Sequence, residues 1–429
     1  MHKLIINGGK RLNGEVTISG AKNSAVALIP ATILCDETVT LNNVPNISDV
    51  DALEDILNHL NAKISRKADE LVISSDEIIN KPIDETFAKR LRASYYFMGS
   101  LLGKYKHCEI CFPGGCSIGT RPIDLHLKGF KALGATIKED GDNFILDAEE
   151  LKGAKIYLDF ASVGATINIM FAAVKAKGTT IINNAAKEPE IVNIATFLNN
   201  MGAKITGAGT KEIKIKGVKK LHSCFHEVIP DRIEAGTYEI IGAACSDRLK
   251  VNNIIPEHLE ALHEKLKEMN VNITVEDDNA VVIESRDLKA TSITTEVYPG
   301  FPTDLQQVLA TLMTQAKGES EIHETIYENR FQNLFELKKM GAKVEIDGER
   351  AYIKGKSKLK GTEIYATDLR AGAGLVVAAL IAEGTTIIDN ADLILRGYEG
   401  IVDKLRAVGA DITLEYKNIL IYLYNVVII

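Results

Sequence analysis

The chain has 429 residues, of which 46% are hydrophobic and 25% are charged, the composition of an ordinary globular protein. This length predicts about two or three domains, each large enough to bury a core. The net charge of −8 argues against nucleic acid or an anionic membrane surface as a partner, although it leaves room for a local basic cleft.

Two features of the sequence indicate where in the cell the protein is expected to be. Residues 1–7 become polar too early for a signal peptide, and the longest apolar runs, about 12 residues, fall short of the roughly 20 that a membrane-spanning helix needs. Six cysteines are scattered at positions 35, 108, 111, 116, 224 and 245, which is typical of reduced thiols. We therefore expect a cytoplasmic protein without membrane insertion.

One sequence signal recurs along the chain: an apolar helix-like stretch that ends in Gly-Ala-x-Ile or a variant of it. Its copies begin at Asn61, Gly134, Gly202, Asn270, Gly341 and Gly409. The steps between them are 73, 68, 68, 71 and 68 residues. A repeat of this length is a whole supersecondary unit with two helices, larger than the usual solenoid repeat.

Within each unit the same elements are predicted in the same order. Two strands open the unit, as at residues 3–6 and 16–18, and a loop follows them. An alanine-rich helix comes next, and because it is apolar on nearly all sides we expect it to be buried. These helices are predicted at 24–35, 93–102, 165–176, 236–245, 302–316 and 371–382. A strand and an amphipathic helix complete the unit, whose closing glycine suits a helix C′ position.

The repeats predict an α/β protein with two similar domains. Three units lie on each side of about residue 229, so we place one domain at 21–229 and the other at 1–20 plus 230–429. The two N-terminal strands match the pair that opens each unit, and we expect them to complete the second domain. Buried helices with amphipathic helices outside them indicate a helical core wrapped by sheets.

The loops before the buried helices hold the distinctive charges. In chain order they carry Lys22, Asn23, Arg90, Arg92, Ser162, Val163, Gly164, Asp231, Arg232, Glu234, Asp304, Asp368 and Arg370, and a second type of loop carries Arg121, Arg330 and Arg396. Because these loops occupy equivalent ends of repeated units, they are expected to face one cleft. So many cations would favour a substrate with phosphates or carboxylates. The alternative is that each arginine is a solvated surface charge.

A glycine- and proline-rich segment at 112–122 predicts a long irregular loop, more typical of a lid than of a turn. It contains Cys116, with Arg121 nearby. An exposed thiol beside a cation has a lowered pKa and is reactive, whereas most isolated cysteines are small buried hydrophobes. Both interpretations of Cys116 stay open on this evidence alone.

Two other clusters imitate metal sites. His107, Cys108 and Cys111 lie near Cys116, but the first three fall in a predicted strand, and no second ligand pair stands at zinc-finger spacing. The segment 222–226 also has two histidines and a cysteine, at the strand–turn–strand start of a unit. We therefore interpret both clusters as structural and expect no metal site.

The residues in these loops resemble the enolpyruvyl transferases, over the whole chain. The resemblance rests on motifs that occur in the family's order and spacing, at 18–23, 91–94, 113–122, 162–166, 230–234, 301–304, 328–331, 368–371 and 396–399. It implies the two-domain inside-out α/β barrel of that family, with three βαβαββ-type repeats per domain and the active site in the cleft between the domains.

The match is to the branch of the family whose acceptor is UDP-N-acetylglucosamine. It implies that the 3-hydroxyl of the sugar attacks C2 of phosphoenolpyruvate, and that phosphate then leaves, in the first committed step of peptidoglycan synthesis. No cofactor is implied. Three catalytic residues are carried over: Cys116 as the proton donor at C3, Asp304 as the general base, and Lys22. A fosfomycin-type epoxide would alkylate Cys116.

The resemblance also implies a set of substrate contacts. Lys22, Arg121 and Arg396 would hold the anions of phosphoenolpyruvate, with Arg370 beside them. The nucleotide sugar would be lined by Asn23, Arg92, Arg121, Pro122, Ile123, Asp124, Leu125, Ser162, Val163, Gly164, Asp304 and Ile326, and Arg330 is a further substrate-binding candidate. Two positions depart from some members, which have lysine where this chain has Ser48 and Phe160.

Two rival functions follow from the same residues. The sister transferase that uses shikimate 3-phosphate shares the fold and the phosphoenolpyruvate chemistry, but it has no cysteine lid of this kind. A non-catalytic nucleotide-sugar-binding protein could use the same scaffold. Such a protein would need neither an acid nor a base, so the presence of Cys116 and Asp304 argues against it.

Overall fold

The computed structural model describes residues 1–112, 122–283 and 285–416, and the fold is mixed α/β. Its strands are β1 His2–Asn7, β2 Leu12–Thr17, β3 Thr38–Asn42, β4 Lys63–Lys67, β5 Glu70–Ser74, β6 His107–Cys111, β7 Thr136–Asp140, β8 Asn143–Asp147, β9 Lys155–Tyr157, β10 Thr179–Asn183, β11 Lys204–Thr206, β12 Glu212–Lys216, β13 Phe225–Glu227, β14 Ser246–Asn252, β15 Asn272–Val275, β16 Asn279–Ile283, β17 Ser292–Thr294, β18 Gly318–His323, β19 Lys343–Asp347, β20 Arg350–Gly355, β21 Glu363–Tyr365, β22 Thr385–Asp389 and β23 Asp411–Tyr416.

The helices alternate with these strands. They are α1 Lys22–Ala31, α2 Ser48–His59, α3 Glu85–Ala88, α4 Tyr96–Tyr105, α5 Asp124–Ala132, α6 Val163–Ala173, α7 Pro189–Asn200, α8 Arg232–Cys245, α9 Glu260–Glu268, α10 Thr303–Met313, α11 Gln332–Lys339, α12 Leu369–Ile381, α13 Asp392–Leu395 and α14 Ile401–Ala407. Short 3₁₀ helices cover Thr32–Leu34, Arg92–Tyr95 and Pro256–His258. Of the helices in the described ranges, none is long and apolar enough to cross a membrane.

The strands form small sheets that share one plan. In the described part of the chain the orders are β21-β22-β1-β23, β11-β12-β10-β9, β13-β3-β5-β4, β15-β16-β14-β2, β17-β18-β20-β19 and β6-β8-β7. Each four-stranded sheet has one parallel pair at one edge and antiparallel pairs elsewhere. Three parallel pairs are joined by a buried helix, namely β9–α6–β10, β17–α10–β18 and β21–α12–β22, because parallel strands require a crossover connection.

The recurring Gly-Ala-x-Ile signal has one structural role at all six places. Each copy starts two residues after the end of an amphipathic helix and two residues before a strand begins. Its first residue has a positive φ in every case, from 63° at Asn270 to 103° at Gly341. Glycine and asparagine are the residues that tolerate this left-handed conformation, so the signal marks a helix C′ position as predicted.

The chain divides into two compact units. One unit is Ile18–Arg232 together with Glu296–Pro302; the other is Met1–Thr17, Ile233–Thr295 and the chain from Thr303 onward. The sequence did not predict that the short segment 296–302 belongs to the first of these units. Within that unit the centre of the Tyr298 ring lies 5.6 Å from the Arg232 guanidinium carbon.

A close helix crossing lies at the core of each unit. A Cβ atom added to Gly99 in α4 would lie 2.5 Å from the backbone oxygen of Asn168 in α6. A Cβ added to Gly374 in α12 would lie 2.8 Å from the backbone oxygen of Gln307 in α10. Because a real Cβ atom cannot come this close, both crossings require glycine, and the helices they join are buried.

The N-terminal strands belong to sheets formed by much later parts of the chain. β1 lies between β22 and β23, with Lys3 opposite Asp389 on one side and His2 opposite Tyr416 on the other. β2 pairs in parallel with β14. All of these strands lie in the unit that contains the C-terminal third of the described chain.

Candidate active site

Lys22 is held in place at the start of α1. Its backbone N–H donates to Asp231 Oδ2 over 3.0 Å, and its Nζ lies 2.8 Å from Asp49 Oδ2 in the first turn of α2. Only 14% of the Lys22 side chain and 3% of the Asp49 side chain are exposed. Asn23, the next residue along α1, is half-buried. The lysine ammonium is therefore anchored to a buried carboxylate, with its backbone fixed independently.

A second group of candidates in the same unit surrounds Tyr95. The Arg92 guanidinium carbon is 5.9 Å from the centre of the Tyr95 ring, and that ring meets the His126 ring edge-on at 4.9 Å. Gly164 fits between them, since a Cβ there would be 2.9 Å from Tyr95 Oη. The predicted residues Arg92 and Gly164 therefore share one neighbourhood.

The start of α6 gives this neighbourhood an anion-binding character. Ser162 caps the helix, with its Oγ accepting the N–H of Ala165 over 3.2 Å. The N–H groups of Val163 and Gly164 lie in the first turn, where no carbonyl of the same helix can accept them. Together with the helix dipole, such N–H groups favour a phosphate or carboxylate.

The start of α5 carries the next predicted contacts. Pro122 is exposed, Ile123 is buried, Leu125 is half-buried, and Asp124 is in the first turn of the helix. Two of the predicted site residues, Cys116 and Arg121, lie outside the described residues.

In the other unit, Asp304 is clamped by two arginines. Its Oδ1 accepts a hydrogen bond from Arg330 Nη2 over 2.7 Å, and its Oδ2 lies 3.2 Å from Arg370 Nη2. Both arginines are almost fully buried, whereas 27% of the Asp304 side chain is exposed. Two guanidinium groups favour an ionised carboxylate, and its partial exposure leaves Asp304 accessible to a ligand.

Asp368 and Tyr398 extend this cluster. Asp368 caps α12, accepting the N–H groups of Arg370 and Ala371 at 2.8 and 3.0 Å, and it also lies 3.7 Å from Arg330. The Arg370 guanidinium carbon is 5.5 Å from the Tyr398 ring, whose hydroxyl hydrogen-bonds Thr237 at 3.0 Å. These contacts bring the 396–398 turn, which begins with the half-buried Arg396, next to the clamp on Asp304.

Ile326 is linked through the buried Glu324 to the start of α10, which carries Asp304. Glu324 Oε1 accepts the backbone N–H of Ile326 over 2.9 Å, and Glu324 Oε2 accepts the hydroxyl of Thr303 over 3.0 Å. Thr303 immediately precedes Asp304 at the start of α10. The contacts thus join four of the five predicted site residues in this unit, and Arg396 lies two residues from Tyr398 in the same cluster.

The sequence did not point to the buried residues that hold the predicted site residues in place. Asp49, His126 and Glu324 were not singled out, although each is buried against a predicted site residue or its segment. The only signal for Asp49 is an acidic first turn in an amphipathic helix, which is too common to be informative. His126 follows the predicted contacts Asp124 and Leu125 directly, and that position was the strongest available signal.

The residues of the two clusters that imitate metal sites make other contacts. His107 Nδ1 lies 2.7 Å from Asp147 Oδ1 on the neighbouring strand, and Cys108 is buried in β6, where burial raises the pKa of its thiol. His226 is buried, with Asn193 Nδ2 3.0 Å from its Nε2. Within the described residues no group of three or more His, Cys, Asp or Glu side chains could hold a metal ion.

Comparison with known proteins finds similarity along the whole chain. The family model described as EPSP synthase (3-phosphoshikimate 1-carboxyvinyltransferase) matches residues 6–405. A UDP-N-acetylglucosamine 1-carboxyvinyltransferase 2 from Bacillus cereus is 52% identical over 416 residues, covering 97% of this chain and 97% of that protein. A UDP-N-acetylglucosamine 1-carboxyvinyltransferase 1 from Streptococcus agalactiae is 54% identical over 416 residues, covering 96% and 99%.

Solved structures are similar over almost the same range. The enolpyruvyl transferase NikO from Streptomyces tendae superposes with a TM-score of 0.89 at 26% identity, covering 96% of this chain and 99% of that one. An EPSP synthase from Acinetobacter baumannii, at 19% identity and a TM-score of 0.77, shows the shared fold. With the family match, the full-length relatives and this fold, the chain belongs to the enolpyruvyl transferase family.

Proposed function

We propose that this chain transfers the enolpyruvyl group of phosphoenolpyruvate to the 3-hydroxyl of UDP-N-acetylglucosamine and releases phosphate, the first committed step of peptidoglycan synthesis. The observation that carries the proposal is the 52% identity, over 97% of both chains, with a relative named for this transfer. The reaction takes place in the cytoplasm and uses no cofactor.

Phosphoenolpyruvate presents a carboxylate and a phosphate side by side, so several cations must hold it. Lys22, Arg121 and Arg396 contact these anions, with Arg370 beside them. Arginine suits such groups because its planar guanidinium donates two parallel hydrogen bonds to a carboxylate or phosphate. The anchoring of Lys22 by Asp49 and of Arg370 by Asp304 supports this assignment, since pre-positioned cations lose little freedom on binding.

Asp304 is the general base that takes the proton of the sugar hydroxyl. A base must be ionised, accessible and within hydrogen-bond reach of its proton. The two guanidinium groups and the 27% exposure of the Asp304 side chain support the first two requirements. Arg330 and Arg370 also fix the direction in which the carboxylate points.

Cys116 protonates C3 of phosphoenolpyruvate as the hydroxyl attacks C2, and it can form a covalent adduct with the substrate. The tetrahedral intermediate then loses phosphate together with a proton from C3. The segment that carries Cys116 acts as a lid that closes over the loaded substrates and excludes water. A fosfomycin-type epoxide alkylates the same thiol.

The nucleotide sugar lies along the remaining candidates. They are Asn23, Arg92, Arg121, Pro122, Ile123, Asp124, Leu125, Ser162, Val163, Gly164, Asp304 and Ile326, with Arg330 behind Asp304. The N-terminus of α6 supports this assignment, since its free N–H groups and dipole suit a diphosphate.

The chain is further proposed to be a two-domain inside-out α/β barrel with three βαβαββ-type repeats per domain. The domains are 21–229 and 1–20 plus 230–429, with the active site in the cleft between them. Support comes from the common plan of the sheets and from the buried helix crossings at Gly99 and Gly374.

A phosphate-release assay tests the proposal. The purified protein and phosphoenolpyruvate are incubated with UDP-N-acetylglucosamine or with shikimate 3-phosphate, and inorganic phosphate is measured over time. We expect release only with the nucleotide sugar. Equal release with either acceptor would reject the assignment of the acceptor, and binding of the nucleotide sugar without any release would favour a non-catalytic binding protein.

A further inference from the structure

His126 is a buried polar side chain that the proposed mechanism does not use. It lies in the first turn of α5, and only 4% of the residue is exposed. Its ring packs edge-on against Tyr95 and adjoins the first turn of α6 at Gly164. It therefore faces the place where α6 presents its unsatisfied N–H groups.

The hydrogen bonds around Asn168 determine which ring nitrogen of His126 carries the proton. Asn168 Oδ1 accepts the backbone N–H of Gly99 over 2.9 Å, and this N–H can only donate. Asn168 Nδ2 must therefore be the donor in the 2.9 Å contact to His126 Nδ1. Nδ1 is an acceptor in this arrangement, and the proton of the neutral ring lies on Nε2.

The surroundings also keep the ring neutral. Burial, and to a smaller extent the positive charge of Arg92, lower the pKa of His126 to about 3. A proton added to Nδ1 would, in addition, face the N–H₂ group of Asn168. At neutral pH the ring thus offers one hydrogen-bond donor, the Nε2–H, without a charge.

Nε2 points to the start of α6 and has no hydrogen-bond partner among the described residues. A Cβ atom on Gly164 would lie 3.0 Å from Nε2 and 2.9 Å from Cε1. The glycine leaves room for this donor beside the N–H groups of Val163 and Gly164. Because the His126 residue is only 4% exposed, little water reaches this donor, and a ligand oxygen beside Gly164 would give it a partner.

We infer that His126 Nε2–H donates a hydrogen bond to a phosphate oxygen of the nucleotide-sugar substrate at the N-terminus of α6. This inference rests on the proposed function and adds a ligand-binding residue to it. Arg92 supplies the positive charge, the helix supplies its N–H groups, and His126 supplies a neutral donor whose direction Asn168 fixes. A protonated imidazole at this position would repel Arg92, whereas a neutral one does not.

Calorimetric binding of UDP and of uridine tests the inference, since the two ligands share the base and differ in the phosphates. His126→Phe keeps a planar ring but removes the donor, and we expect it to weaken UDP binding about tenfold or more while uridine binding is unchanged. His126→Gln carries an amide N–H close to the position of Nε2 and should recover most of the affinity. His222→Phe, a change at an exposed histidine, is the matched control.

Steady-state kinetics gives a second readout. His126→Phe should raise the KM for UDP-N-acetylglucosamine and leave the KM for phosphoenolpyruvate and kcat nearly unchanged. Equal weakening of UDP and uridine would assign Nε2 to the base rather than to a phosphate and would overturn the inference. UDP binding as tight as in the wild type would overturn it as well.

The unmodified protein can be tested independently of whether His126→Phe folds. With ¹⁵N-labelled histidine, the His126 signals should show the tautomer protonated at Nε2, and this N–H should move downfield when UDP is added. The spectrum of His126→Gln assigns the signal. An Nδ1–H tautomer or an unmoved signal at saturating UDP would refute the inference alone, whereas failure of the wild-type protein to bind UDP would refute the proposed function with it.

Discussion

Lys22 and Asp49 form a salt bridge at the first turns of α1 and α2, with 2.8 Å between Nζ and Oδ2. Because Asp49 is almost completely buried, its charge needs this partner, and the partner is in turn held in one position. The proposed contact between Lys22 and phosphoenolpyruvate therefore depends on Asp49, a carboxylate that would itself repel an anion.

Replacing Asp49 by asparagine should loosen Lys22. We expect kcat/KM for phosphoenolpyruvate to fall by roughly tenfold, since charge-assisted hydrogen bonds contribute about 1.5–3 kcal/mol. The KM for the nucleotide sugar should change little. Asp51→Asn is the control, because Asp51 lies on the same helical turn but 59% of its side chain is exposed. Equal kinetics for the two variants would contradict the anchoring role.

Replacing Asp304 by asparagine should remove the general base and keep the shape of the site. Turnover should fall by about 10²–10⁴-fold, the usual contribution of general acid–base catalysis. Binding of UDP-N-acetylglucosamine, measured by calorimetry, should remain largely intact. Asp403→Asn, at a side chain that is 87% exposed, serves as the control. A variant that loses binding without any loss of kcat would rule out the base assignment.

Replacing Cys116 by serine should abolish most activity and all labelling by a thiol-reactive epoxide such as fosfomycin. Intact mass spectrometry measures the labelling. Cys224→Ser is the matched control, since Cys224 is half-buried and burial raises the pKa of its thiol to about 11, so little thiolate is present at neutral pH. Labelling that persists in Cys116→Ser would place the reactive thiol elsewhere.

The protein should lose stability as the pH falls from about 6.5 towards 4. Burial lowers the pKa of His226 from 6.5 to about 4, so in this window the unfolded chain binds a proton that the folded chain does not. One such group reduces the free energy of unfolding by up to about 1.4 kcal/mol per pH unit. At a pH well above 6.5 the histidine is neutral in both states and contributes no slope.

Urea unfolding at several pH values checks this expectation. His226→Gln should reduce the pH dependence of the free energy of unfolding without removing it, because His126, whose pKa is also lowered, contributes in the same window. His222→Gln, at an exposed histidine, should leave the slope unchanged. An identical slope in the wild type and in His226→Gln would show that His226 does not titrate differently in the two states.

Much of the fold was predictable because it is repeated. Six copies of one signal located six helix ends and the strands after them, and a left-handed residue such as Gly134 or Asn270 stands at each. Helix starts were harder to predict. The helix predicted at 93–102 begins as an α-helix only at Tyr96, because a 3₁₀ turn precedes it. A 3₁₀ turn of this kind produces no periodic pattern of apolar residues, so the sequence does not reveal it.

The site was predictable where it consists of charges in loops, and less so where buried partners hold those charges. Asp304 and Arg370 stood out because they occupy equivalent loops in the repeats. Glu324 did not, because a buried glutamate that accepts the N–H groups of Ile326 and Tyr327 follows no sequence pattern. Contacts between residues that are far apart in the sequence depend on tertiary packing, so no local spacing of residue types reveals them.

The position of β1 has a consequence for synthesis on the ribosome. Ile6 is synthesised long before one of its pairing partners, Ile412. The unit formed largely by residues 18–232 can fold on the nascent polypeptide, whereas β1 of the other unit stays unpaired until β22 and β23 have been synthesised. During that interval the unpaired backbone N–H and C=O groups of β1 are available for pairing with other chains.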